Sequence, residues 1–236
     1  MPQIVILSGG LGTRLRPFTE NCPKALVKVQ GVPFIQYQLE WLVSYGLKDL
    51  LLCVGHHAEQ IKSFVGDGSR FGVRAVYSDE GDQLLGTAGA LKKAESLLEK
   101  SFCVLNGDSY LPINPLEPIG YFQKEGLDAL MVTYRNRGEY DQSNTVVEKD
   151  SVTFYSRKER RPEMEFIDYG FRIFKKDVLR WVPSTGFCDM DLLYGKLIAC
   201  KKLAAYTVVE PFYEIGGMKG LARFNGYIEK ERISIQ

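Results

Sequence analysis

The run Ile4-Val5-Ile6-Leu7 passes without a break into Ser8-Gly9-Gly10-Leu11-Gly12, and this junction constrains the fold more than any other stretch. Four consecutive apolar residues with no polar alternation describe a strand buried on both faces, as in the interior of a parallel sheet. Three glycines in four positions then let the backbone turn sharply and bring its N–H groups close to an anion. The rest of the first half alternates in the same way. Strands are expected over 50–54, 74–77 and 102–105, and helices over 33–46, 58–65 and 86–100, where apolar residues recur at helical spacing. This order implies an α/β fold, a Rossmann-like three-layer αβα sandwich around a mostly parallel, mixed sheet.

The second half is less regular. Strands are expected over 129–134, 166–174 and 205–209, with helices over 189–200 and 217–230. Between the first two strands, residues 146–155 interleave β-branched side chains with charge, as in a hairpin or edge element. No repeat, low-complexity tract or linker interrupts the chain, so one domain over 1–236 is expected.

Lys and Arg total 30 against 29 Asp and Glu, a net charge of +1. That balance argues against charge-driven binding to nucleic acid or an anionic membrane and leaves a small-molecule enzyme or a binding domain. The longest apolar run, 50–54, is too short to span a bilayer, and the first residues lack the charged region of a signal peptide. Cys22, Cys53, Cys103, Cys188 and Cys200 show no C-x-x-C spacing. They read as thiols in a reducing compartment, and a cytoplasmic protein is expected. His56 and His57 are adjacent and cannot share one helix or strand face, which argues against a metal pair.

In an open α/β sheet the glycine-rich loop lies beyond the carboxyl end of its strand, where ligands bind. Spacing tests two familiar explanations. A P-loop requires Gly-Lys-Ser/Thr after four intervening residues, and that pair is missing. A dinucleotide fingerprint requires G-x-G-x-x-G, but Gly10-x-Gly12 is followed by Leu15. The loop continues with Arg14, Arg16, Lys24 and Lys28 against the single acidic residue Glu20. Cations beside an amide-rich turn suit a polyphosphate, held by charge-assisted hydrogen bonds.

The motif Gly9-Gly10-x-Gly12-Thr13-Arg14-Leu15-x-Pro17-x-Thr19, followed by Pro23-Lys24-x-Leu26, resembles the signature of the sugar-1-phosphate nucleotidyltransferases, or NDP-sugar pyrophosphorylases. The match continues through Gly31-Val32-Pro33, Gly66-Asp67-Gly68-Ser69-Arg70-Phe71-Gly72, Leu85-Gly86-Thr87-Ala88-Gly89-Ala90 and Asn106-Gly107-Asp108, and thins beyond about residue 110. The resemblance implies the nucleotide-diphospho-sugar transferase (GT-A-like) fold, with residues 1–110 as the nucleotide-binding half and 111–236 as the sugar-phosphate half. It also implies a reaction joining a sugar 1-phosphate to the α-phosphorus of an NTP, with release of pyrophosphate. A phosphate monoester is already largely dianionic near neutral pH, with a second pKa of about 6. No general base is then needed, and the missing Ser-His-Asp or Cys-His set does not count against an enzyme. The work left is to hold two anions in line and stabilise the leaving pyrophosphate.

By this resemblance, Ser8, Gly9, Gly10, Gly12, Thr13 and Arg14 bind the nucleotide phosphates, with Arg14 as the triphosphate clamp. Lys24 contacts the reacting phosphates, and Glu80, Gly86 and Thr87 lie at the base and ribose. Asp108, at the carboxyl end of its strand, suits a ligand to Mg²⁺. The family's second metal carboxylate is usually an Asp in an apolar-Asp-apolar-Gly run. Here Phe212-Tyr213-Glu214-Ile215-Gly216 puts Glu214 at that position; choline-phosphate cytidylyltransferases of the same superfamily can carry such a Tyr-Glu-Ile run. On the sugar-phosphate side the resemblance points to Asn106, Lys158, Asp168 and Gly170. Arg157 stands where the family's Glu would be, and the basic run 157–161 also reads as a solvated face. Asp168 reads equally as an acceptor for sugar hydroxyls or as a structural residue.

The Leu-Gly-Thr-Ala-Gly run and the Ile-Asp-Tyr-Gly run are similar to those of the heptose-1-phosphate and mannose-1-phosphate guanylyltransferases, which makes GTP the expected nucleotide. Uridylyl transfer, cytidylyl transfer (choline phosphate included) and a non-catalytic NDP-sugar-binding module are the alternatives. The expected partners are the NTP and sugar 1-phosphate, with the chain a monomer or homodimer. Glu214 lies 22 residues from residue 236, so the C-terminal β-helix carried by larger members of the superfamily is not expected.

Overall fold

Along the first strand, β1 (Gln3–Ser8), Ile4 and Ile6 enter one apolar cluster while Val5 enters another. This division explains why the strand reads as continuously apolar: side chains alternate between faces, and both faces are covered. The computed structural model describes residues 1–81, 83–136 and 140–234. After β1 come two short strands, β2 (Lys28–Val29) and β3 (Val32–Pro33), then α1 (Phe34–Ser44), β4 (Asp49–Val54), α2 (Ala58–Val65), β5 (Arg74–Asp79), α3 (Gly86–Lys93), β6 (Ser101–Asn106) and β7 (Ser109–Tyr110). The second half holds α4 (Leu116–Lys124), β8 (Ala129–Arg135), β9 (Thr145–Glu148), β10 (Ser151–Tyr155), β11 (Phe166–Lys175), α5 (Met190–Ala199), β12 (Leu203–Val208), β13 (Tyr213–Glu214) and α6 (Met218–Ser234).

Nine strands form one sheet in the order β5-β4-β1-β6-β11-β8-β12-β10-β9. The first four are parallel, β11 runs against both β6 and β8, β12 is parallel to β8, and β10 opposes both β12 and β9. Seven strands therefore share one direction, and the sheet is mixed but mostly parallel. On one face Ile35, Leu39 and Leu42 of α1, Ile61 of α2 and Phe122 of α4 pack against the sheet. On the other face lie Ala88 and Leu91 of α3 with Leu193 and Leu197 of α5. This is the expected αβα sandwich of the GT-A-like fold.

The elements depart from sequence expectation where local chemistry misleads. Helix α4 is absent from the sequence reading because Pro118 and Gly120 interrupt its pattern. Pro118 sits in the first turn, where the missing N–H costs no intrahelical bond, while Ile119 and Phe122 anchor the helix. The helix expected over 86–100 ends at Lys93 and gives way to a 3₁₀ turn, Glu95–Leu97. Gln3 holds that reversal, donating to the Leu97 carbonyl at 3.0 Å and accepting from the Glu99 N–H at 3.1 Å. Residues 145–155 form the β9–β10 hairpin, which closes the far edge of the sheet. Among the described residues no helix is long and apolar enough to cross a membrane.

One glycine welds the two halves. Gly86 opens α3 at φ +74°, and a Cβ there would meet the Cys188 carbonyl oxygen at 2.6 Å. The close approach lets the Ala88 and Gly89 N–H groups donate to that oxygen at 3.0 and 2.9 Å. Gly86→Ala is therefore expected to destabilise the fold by about 1–3 kcal/mol. Gly120→Ala meets nothing within 4 Å and should stabilise α4 by up to about 1 kcal/mol. Urea unfolding of the two variants beside the parent checks both signs.

Candidate active site

The carboxyl ends of β1 and β6 lie side by side, and β11, running the other way, brings its own first residues to the same edge. A cavity of about 630 Å³ opens there. It is lined from one side by the Ser8–Gly9–Gly10 turn and Arg14, and from beneath by Asn106, Gly107 and Asp108. Glu80, Gly86 and Thr87 form one wall, and Tyr155, Arg157, Arg160 and Asp168 form the opposite one. The glycines of the turn have different surroundings. A Cβ on Gly9 would lie 2.5 Å from the Glu80 carboxylate, whereas Gly10 faces open space. Gly12, at φ +64°, turns the chain into the Thr13–Leu15 3₁₀ turn, and its carbonyl accepts from the Thr19 hydroxyl at 2.8 Å. Gly12 and Thr13 thus shape the loop from outside the cavity lining.

The most charged part of the cavity is built by the short β7–β13 ladder, which sets Glu214 opposite Ser109 and lets the Ile215 N–H donate to the Asp108 carbonyl at 2.9 Å. The Asp108 and Glu214 carboxylates are thereby neighbours. Lys24 Nζ lies 2.8 Å from Asp108 Oδ2, with the two side chains 19% and 22% exposed. Burial alone would raise the Asp108 pKa; the charge and hydrogen bond of Lys24, helped by Arg14, outweigh it and hold the carboxyl below the usual aspartate range. Glu214 goes the other way: burial and the Asp108 charge push it up, only partly offset by Arg14. Arg14 reaches the same point, since a Cβ on Gly216 would lie 3.0 Å from Arg14 Nη2 and 3.3 Å from Glu214 Oε1. Among the described residues no carboxylate forms an ion pair with Arg14 within 4.0 Å.

Helix α6 backs this ladder. Phe224 packs edge-on against Phe34 at 5.2 Å and Tyr37 at 5.4 Å, and tilts against Tyr110 of β7 at 5.1 Å. Tyr227 stacks on Tyr213 of β13 at 4.3 Å. A Cβ on Gly220 would collide with the Glu214 carbonyl oxygen, so the helix lies directly on the strand.

The structure places the remaining expected residues unevenly. Glu80 is buried at the cavity wall, its carboxylate accepting from the Leu85 N–H at 3.3 Å. Thr87 lines the cavity but also ties α3 to α5, accepting from the Met190 N–H at 2.8 Å and approaching Asp189 at 3.4 Å. Asp82, in the stretch beside Glu80, lies outside the described residues. Lys158 is exposed and is not part of the lining; Arg157 and Arg160 are there instead. Arg157 is held by the Tyr155 hydroxyl at 3.0 Å, and Arg160 donates to the Ser143 carbonyl at 3.2 Å. Gly170, at φ +90°, leaves room beside Asn106 Nδ2 and Ser109 Oγ but does not itself line the cavity. Asp168 lines it with both oxygens occupied. Oδ1 accepts from the Gly170 N–H at 3.0 Å, Oδ2 from the Tyr194 hydroxyl at 3.0 Å, and Arg172 Nη2 lies 3.2 Å from each. Arg172 was missed from sequence, although a lone cation in the apolar run Phe171-Arg172-Ile173-Phe174 was a signal that could have been read.

The Nucleotidyl transferase family matches residues 3–183 of this chain. The chain belongs to that family. Among its curated relatives, this chain is 31% identical over 211 residues to the UTP–glucose-1-phosphate uridylyltransferase of Synechocystis sp., a match spanning 82% of it and 54% of that protein. It is 30% identical over 178 residues to the D-glycero-alpha-D-manno-heptose 1-phosphate guanylyltransferase of Campylobacter jejuni subsp. jejuni, spanning 75% and 77%. The chain thus spans about half the length of the first relative and about three quarters of the second. The fold is shared with the inositol-1-phosphate CTP transferase of T. maritima, with a TM-score of 0.83 at 18% identity over 98% of this chain and 96% of that one.

The paired carboxylates give a direct electrostatic test. Asp108→Asn should lower the Glu214 pKa, because it removes a neighbouring negative charge. Lys24→Met should raise the Asp108 pKa, because burial is then less opposed. Since the Asp108 pKa is lowered by folding, its pairing supports the fold above the ordinary aspartate pKa and is lost as pH falls through the lowered value. Carboxyl ¹³C titration of parent and variants reads both shifts; either one moving the opposite way contradicts the arrangement.

Proposed function

We propose that this protein transfers a nucleotidyl group from an NTP to a sugar 1-phosphate, releasing pyrophosphate, with GTP and heptose or mannose 1-phosphate as the favoured pair. The observation that carries the reading is the convergence of Arg14, Lys24, Asp108 and Glu214 in a cavity lined on one side by a glycine turn. An acceptor phosphate oxygen attacks the α-phosphorus, and the bond to the pyrophosphate breaks. In this reading the Ser8–Gly10 turn and Arg14 hold the triphosphate, and Lys24 faces the reacting phosphates. Arg157 and Arg160, rather than the exposed Lys158, draw the acceptor's phosphate to the other wall. The charges do the chemistry: they hold two repelling anions together and stabilise the leaving group.

Among the described residues no three His, Cys, Asp or Glu side chains gather at one point. The Asp108–Glu214 pair nevertheless suits Mg²⁺, which takes one or two carboxylates and completes its shell with water and phosphate oxygens. Burial and the neighbouring Asp108 charge, which together raise the Glu214 pKa, support this fit, because a divalent cation would offset both. Bound there, Mg²⁺ would supply charge neutralisation to the triphosphate. Glu80, Gly86 and Thr87 are assigned to the base and ribose. Placement in the cytoplasm and a monomeric or homodimeric state belong to the same reading. A second substrate pair, UTP with glucose 1-phosphate, is favoured by the name of the Synechocystis relative.

Pyrophosphate release, measured with each NTP against several sugar 1-phosphates and choline phosphate, with and without Mg²⁺, separates these readings. Release with GTP and a heptose or mannose phosphate, dependent on Mg²⁺, is expected; release with no pair would leave a binding module. Asp108→Ala should abolish turnover, and Arg14→Ala should lower kcat/KM for the NTP by about 10²–10³-fold. Parent-like rates in either variant would overturn the site assignment.

A further inference from the structure

Arg172 heads the fully buried side chains by volume, at 1% exposure, on a strand whose neighbouring residues Phe171, Ile173 and Phe174 are apolar core. Burying a guanidinium is costly, and a buried ion pair contributes little net stability over well-packed apolar residues. Stability is therefore a weak reason for its presence. Its contacts suggest a better one. Nη2 lies 3.2 Å from both oxygens of Asp168, and Nη1 donates to Asn106 Oδ1 at 3.0 Å. A guanidinium has donors only, so it must receive the oxygen of the Asn106 amide, and the NH₂ is sent the other way. Asn106 Nδ2 has no hydrogen-bond partner among the described residues, and Asn106 lines the cavity. Gly170 leaves the space that this NH₂ occupies: a Cβ there would come within 3.2 Å of it. The Tyr194 hydroxyl and Gly170 N–H complete the hold on Asp168.

We infer that Arg172 is a positioning residue that fixes the amide orientation of Asn106, so that Nδ2 is presented as a donor to a ring hydroxyl of the sugar 1-phosphate. Asp168 serves this device from behind by anchoring the guanidinium. The inference rests on the reading of the cavity as a sugar-phosphate site and adds to it a residue that acts on the acceptor without touching it.

The test is a double-mutant cycle of Arg172→Lys and Asn106→Ala, with KM measured separately for the NTP and for mannose 1-phosphate. Lysine keeps the charge but lacks the fork that spans Asp168 and Asn106. Arg172→Lys should raise KM for the sugar phosphate by about tenfold and leave KM for the NTP within about twofold. In the Asn106→Ala background the same substitution should have no further effect on the sugar phosphate. An equal effect in both backgrounds, or equal shifts for both substrates, would show a purely structural role and overturn the inference. If Arg172→Lys does not fold, Tyr194→Phe loosens the same anchor, and the same cycle with Asn106→Ala decides. If the parent itself turns over no substrate pair, the nucleotidyl transfer reading fails separately. The cycle is then read from calorimetric affinity for mannose 1-phosphate relative to inorganic phosphate. Arg172→Lys should lower that ratio; a ratio unchanged, or a parent that binds neither, overturns the inference.

Discussion

Two carboxylates set side by side repel each other, and much of this protein is arranged to bear that repulsion. The β7–β13 ladder forces Asp108 and Glu214 together, Lys24 neutralises the first, and Arg14 leans on the second. The cost is met by packing remote from the charge. Phe224 and Tyr227 of α6 brace both strands of the ladder, and Gly220 lets the helix lie against the Glu214 backbone. A ladder of two residues per strand has no stability of its own. It persists because an apolar cluster of Leu15, Val27, Phe34, Ile215 and Phe224 holds it from below.

The cavity divides its labour along the chain. Segments before residue 110 supply the glycine turn, Arg14, Lys24, Glu80 and Asp108; segments after it supply Arg157, Asp168 and Glu214. The two sets meet because β11 is inserted next to β6 in the reverse direction. They are further tied where the segment carrying Cys188 and Asp189 engages the start of α3. The match to the family ends at residue 183, so Glu214 belongs to the part of the site that the family match does not reach.

Sequence reading reached the features that depend on local order. The buried strand running into a glycine turn, the Asn106-Gly107-Asp108 end of β6 and the helical periods of α1, α2 and α5 were legible because each is specified by residues close in the chain. What escaped depends on contacts between distant segments. Lys158 and Arg157 are neighbours in a basic run, and only the pairing of Tyr155 with Arg157 decides which one enters the cavity. Arg172 interrupts an apolar run, but nothing near it in the chain announces that Asn106, 66 residues earlier, accepts its hydrogen bond. Helix α4 was hidden by a proline whose position in the first turn makes it harmless.

The register of β11 against β8 shifts between Asp168, opposite Thr133, and Arg172, opposite Met131: four steps on one strand against two on the other. Two extra residues therefore bulge from β11 around Tyr169 and Gly170. Because the excess is even, Ile167, Tyr169, Phe171 and Ile173 all still enter the same core cluster. A single extra residue would have turned every later side chain to the opposite face. The bulge thus works as a spacer that leaves the core blind to it. Exchanging its residues, or adding another pair, would alter the reach of Asp168 and the seat of Asn106 while β11 stayed in phase. The wall of the cavity that carries Asp168 could thus change without rebuilding the sheet behind it.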